Sequence, residues 1–98
     1  MIYVLATIET WPGKDTELIA GAGACIAATR REDGCISYDY VRDTEKPNIV
    51  MVVERWTTRE ALAAHMLMPH LKEWREKRKP LVLSTKVEII HAARVEKH

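Results

Sequence analysis

The run Ile49-Val50-Met51-Val52-Val53 constrains the fold of this chain more than any other stretch. Five consecutive apolar residues read as a strand with both faces covered, since a strand with one wet face would alternate. A sheet built around it needs a layer on each side. With 98 residues the chain forms one domain, 1–98, with a modest core that association would help to stabilise.

Changes of period mark the other elements. Ile2 to Thr10 is apolar and β-branched and reads as a first strand. Trp11-Pro12-Gly13-Lys14 punctuates it, and from Asp15 the spacing of Leu18, Ala22, Cys25 and Thr29 is that of an amphipathic helix. Gly21 and Gly23 each weaken that helix by about 1 kcal/mol relative to Ala. Their alternation with Ala suggests close approach to another surface. Glu32-Asp33-Gly34 ends the helix, Gly34 being suited to a left-handed residue. A second strand over 35–41 sets Ile36, Tyr38 and Tyr40 against Ser37 and Asp39, and the turn-rich segment 43–48 makes a hairpin into the third strand.

Thr57 and Glu60 have the spacing of a capping box, opening a helix over 57–66. Its core-facing stripe is Leu62, His65 and Met66. Pro69 ends or kinks it, and His70 falls just beyond. Leu71, Trp74 and Arg78 mark a further helical piece, supported by Glu73 and Lys77 four apart and stopped by Pro80. A fourth strand runs over 81–93, and residues 94–98 should fray.

The order β-α-β-β-α-β is the ferredoxin-like pattern, an α+β fold with an antiparallel four-stranded sheet. Right-handed crossovers place the helices on one face. Apolar residues on both sides of strands one, three and four make the other face too hydrophobic to leave in water. A homodimer with two sheets face to face is the expectation; periodicity does not decide whether it closes into a barrel.

A net charge of +1 gives no reason to expect nucleic acid or an anionic membrane as partner. The basic stretch 72–79 is interleaved with Glu73 and Glu76 and reads as a solvated helix face. No apolar run has the length of a membrane span or signal segment. Cys25 and Cys35 therefore read as reduced, structural thiols of a cytoplasmic protein.

The chain resembles the antibiotic biosynthesis monooxygenase family, and within it the small quinol-monooxygenase-like members. The resemblance is carried by Pro12-Gly13-Lys14, Asp33-Gly34-Cys35 leading to Tyr38, Arg42-Asp43, Glu54-Arg55-Trp56, and Ala61-Leu62 with His65 and His70. It implies a dimeric α/β barrel with a pocket between helices and sheet. It also implies oxygenation of a small hydroquinone or polyketide-like phenol by molecular oxygen, with no cofactor. The haem-degrading members differ: where they carry Asn, Trp and a haem-ligating His, this chain has Ala6, His65 and Arg75. Another branch processes a small phosphorylated signalling metabolite, and His65 with His70 does not exclude that chemistry. An isomerase or degrading enzyme of that kind, or an aromatic-binding dimer without turnover, are the alternatives.

His65 is the candidate general base, taking a phenolic proton, and Glu54 the carboxylate that orients its ring. The competing roles are a space-filling core histidine and a surface carboxylate paired with Arg55 or Lys86. Trp56 and Trp74 are candidate aromatic walls, although core packing is the favoured role for Trp74. Tyr38 is a candidate donor to a substrate oxygen, with Met66 and His70 completing the lining. No metal is expected, because His65 and His70, five apart, would not share a helix face.

Overall fold

Alternate residues of strand β1 (Ile2–Thr10) are buried, namely Ile2, Val4, Ala6, Ile8 and Thr10, and this one-sided burial fixes the layering. The computed structural model describes all 98 residues, Met1–His98. β1 runs antiparallel between β3 (Ile49–Trp56) and β4 (Val82–His91), and β2 (Cys35–Arg42) pairs with β3, giving the order β2-β3-β1-β4. The architecture is the expected ferredoxin-like α+β fold, and the sheet of the single chain is open. Pairing sets Ile2 opposite Trp56 and Val4 opposite Glu54, so the ends of β1 and β3 deliver Glu54 and Trp56 to the buried side.

Four helices cover that side: α1 (Asp15–Gly21), α2 (Gly23–Thr29), α3 (Arg59–Met66) and α4 (Pro69–Arg78). Leu18, Cys25, Leu62, Leu71 and Trp74 project from them into one core with the inner residues of the sheet. The first helical segment divides at Ala22. Close approach explains Gly21, where a Cβ would lie 2.8 Å from the Trp74 ring, but not Gly23, which has nothing within 4 Å. The opposite face of the sheet carries no helix. Register places Tyr3, Leu5, Val41, Met51, Val53 and Ile90 on it, with Val41 and Ile90 exposed, beside the charged Asp39, Arg55, Lys86 and Glu88, so this face is mixed rather than uniformly apolar.

Three local expectations change. Thr58, not Thr57, caps α3, its hydroxyl accepting from Ala61 N at 3.1 Å. Ile36 is the extra residue of a bulge, because the register shifts between Cys35 and Ser37; it is exposed rather than aligned with Tyr38 and Tyr40. Pro69 occupies the first turn of a new helix, where its missing N–H costs nothing, and a one-turn helix over Lys79–Leu81 precedes β4.

Candidate functional site

Three elements converge on one carboxylate oxygen. The turn after α2, fixed by Glu32 N donating to Thr29 O and Cys35 N donating to Glu32 O, directs the Glu32 side chain inward. α3 brings His65 to it, and the break over 67–68 lets α4 bring His70 from another direction. Glu32 Oε2 lies 2.8 Å from His65 Nδ1 and 2.7 Å from His70 Nε2. A carboxylate oxygen only accepts, so both ring nitrogens donate, and His65 keeps Nε2 free to accept a proton. The side chains of Glu32 and His65 are 5% and 3% exposed, and that of His70 is 26% exposed.

The carboxylate on His65 is thus Glu32, and the expectation that Glu54 orients the ring is corrected. Glu54 is buried, and its Oε1 accepts instead from Trp56 Nε1 at 2.9 Å. It does not face solvent to pair with Arg55 or Lys86. Trp56 packs its ring against His65 at 4.8 Å between centroids, and Tyr38 meets the same imidazole edge-on at 5.4 Å. Burial pulls the His65 pKa below its usual value, outweighing Glu32, which pushes it up. The ring is therefore neutral at pH 7. Burial also pushes the Tyr38 phenol far up, so this hydroxyl stays protonated.

A chamber of about 40 Å³ lies between sheet and helices, with Tyr38, Glu54, His65 and Met66 in its wall. Arg75, Arg78 and Thr85 line both it and an outer recess of about 270 Å³, which Lys79 and Val82 complete. Neither arginine has an ion-pair partner. Of the expected site residues, Trp56 stands behind His65 rather than in the chamber wall. Trp74 donates from Nε1 to Tyr40 Oη at 3.0 Å and, with His70, lines a separate cavity of about 110 Å³ between α2 and α4. Sequence reasoning missed Glu32 and the two arginines. Cys25 and Cys35 are free, and burial raises both thiol pKa values, which suits neither for nucleophilic chemistry.

Burial also holds the Glu54 carboxyl above its usual range, against the Trp56 hydrogen bond and the Arg75 charge that pull it down. The folded chain therefore takes up this proton before the unfolded chain does. That contribution to stability is complete below the unfolded carboxyl pKa and is lost as pH rises through the folded one. Glu54→Gln keeps an acceptor for Trp56 without the buried charge. At pH 7 it is expected to melt at the same temperature as the parent or up to ~5 °C higher, about 1 kcal/mol in a domain of this size. The difference should vanish near pH 4, and thermal melts across that range measure it.

No helix is long and apolar enough to cross a membrane. The profile described as Antibiotic biosynthesis monooxygenase matches residues 1–77. An uncharacterised Synechocystis protein is 36% identical over 90% of this chain, which spans only 59% of that relative's length. The Escherichia coli K12 protein named "Probable quinol monooxygenase YgiN" is 29% identical, over 92% of this chain and 96% of its own. Among solved structures, Rv0793 from Mycobacterium tuberculosis superposes with a TM-score of 0.87 at 28% identity, covering 98% of each chain. With the ferredoxin-like sheet, the helices over one face and a profile match across most of its length, this chain belongs to the antibiotic biosynthesis monooxygenase family.

Proposed function

We propose that the chain is a monooxygenase that oxidises a small hydroquinone or related phenol without a bound cofactor, with His65 as general base. The observation that carries this reading is the buried Glu32–His65 pair, which occupies Nδ1 and leaves Nε2 unpaired in a ring that lines the chamber. Nε2 takes the phenolic proton. Glu32 stabilises the imidazolium that results, as does the Trp56 ring, which lies within cation–π range. The phenolate gives electrons directly to oxygen. A hydroquinone supplies all four electrons itself: one oxygen atom enters the ring as a hydroxyl, the other leaves as water, and the product is a hydroxyquinone.

The inner chamber is smaller than the roughly 150 Å³ that holds a benzene ring. A substrate hydroxyl therefore occupies the chamber, and the ring lies in the outer recess between α4 and β4. That small volume also favours the second reading, an aromatic-binding module without turnover. Oxygen uptake by the purified chain with a panel of quinols, with and without added flavin or metal, separates the two. Uptake without additives supports the monooxygenase; saturable binding with no uptake across the panel overturns it.

The working unit in this proposal is a homodimer formed through the helix-free sheet face, around Leu5, Met51 and Val53. Val53→Arg places a charge at the middle of that face and is expected to shift the chain from dimer to monomer in light scattering. A parent chain that is monomeric at high micromolar concentration would refute the dimer.

A further inference from the structure

We infer that Glu32, His65 and His70 form a binding site for a first-row divalent cation such as zinc, a role beyond the proton chemistry proposed for His65. The three donors come from three separate elements, and their ligand atoms all lie within 4.8 Å of one another. Two imidazoles and one carboxylate are a donor set that zinc and ferrous iron both accept. A cation at about 2.0–2.2 Å from each donor needs ligand atoms roughly 3 Å apart. The N–O pairs stand at 2.8 and 2.7 Å and need open only slightly, while the two ring nitrogens, within 4.8 Å of one another, must sit closer than about 4.4 Å to share a cation.

A second, independent observation points the same way. Glu32 Oε1 is buried and has no hydrogen-bond partner, while both histidines crowd onto Oε2. No lysine or arginine pairs with this carboxylate. Hydrogen bonding alone thus leaves one buried oxygen idle, an uncommon state for a carboxylate. A cation between the three residues would draw on both oxygens and supply the missing positive charge. Half-buried His70 lines the cavity between α2 and α4, which gives a cation access and leaves room for a water ligand.

Coordination at Nδ1 moves the His65 ring proton to Nε2. The cation-filled state therefore presents a donor to the chamber where the empty state presents an acceptor, and the two states exclude one another.

The test needs no substrate, so its outcome is separable from that of the oxygenation reading. The full chain, stripped with a chelator, is titrated calorimetrically with Zn²⁺ and spectroscopically with Co²⁺. One equivalent per chain is expected, with visible Co²⁺ bands of a four- or five-coordinate site. Glu32→Gln and His70→Ala should each weaken Zn²⁺ binding at least tenfold, whereas His91→Ala and the removal of His98 should not. If Glu32→Gln fails to fold, the partly exposed His70 position still decides the question. Absence of saturable binding, or affinity unchanged by His70→Ala, overturns the site.

Discussion

Replacing His65 with glutamine is expected to lower kcat/KM for quinol oxidation by about 10²–10⁴, the usual contribution of a positioned general base. Glutamine approximates the volume of the ring and keeps a donor for Glu32, so the packing against Trp56 and Tyr38 is largely retained while the base is lost. His65→Ala removes the base as well, but it also opens a void beside a fully buried Trp56. Its melting temperature should fall further than that of His65→Gln. The pH profile gives a readout that a merely structural role would not move. Because burial lowers the His65 pKa from 6.5, the acid limb of kcat/KM in the parent lies below pH 6.5 and should be missing from the residual rate of His65→Gln. Equal rates in parent and variant would remove His65 from the chemistry.

The architecture was legible because it rests on periodicity, and periodicity reports burial. The spacing of Leu62, His65 and Met66 placed the imidazole on the inner face of α3, where it lies. Glu32 carries no such signal. It stands between the end of α2 and Gly34, in an acidic turn that reads as solvent-facing, and only the tertiary path of that turn drives it inward. The role expected of Glu54 rests on its place at the end of the third strand, facing the helix that carries His65. Glu54 lies opposite Val4 on the buried side of the sheet, but Trp56 Nε1 claims the carboxylate. The spacing argument against pairing His65 with His70 holds only within one continuous helix. With the chain broken over 67–68 and Pro69 opening α4, five residues become a corner that brings both rings to Glu32. Arg75 and Arg78 read as part of a solvated face because sequence spacing shows which residues share a helix side, not that a recess lies beside it.

The largest stability loss is expected from Gly34→Ala. Gly34 has φ +84°, a conformation that costs an L-residue roughly 1–2 kcal/mol. An added Cβ would also stand 2.5 Å from Ala61 Cβ and 2.8 Å from Thr57 Oγ1, and such overpacking costs typically 1–3 kcal/mol. The total, about 2–5 kcal/mol, is a large part of the 5–15 kcal/mol that holds a typical domain together. Gly13 provides the control. It has φ +79° and nothing within 4 Å of a built Cβ, so Gly13→Ala should incur the backbone cost alone. Urea unfolding of the two variants side by side separates the terms, and Gly34→Ala should lose at least ~1 kcal/mol more than Gly13→Ala. The excess measures how tightly the turn that carries Glu32 is pressed against the start of α3, where Thr57 N also donates to Gly34 O at 2.9 Å. Equal losses would mean that this seam yields to a methyl group, and the close placement of Glu32 against His65 could not then be attributed to it.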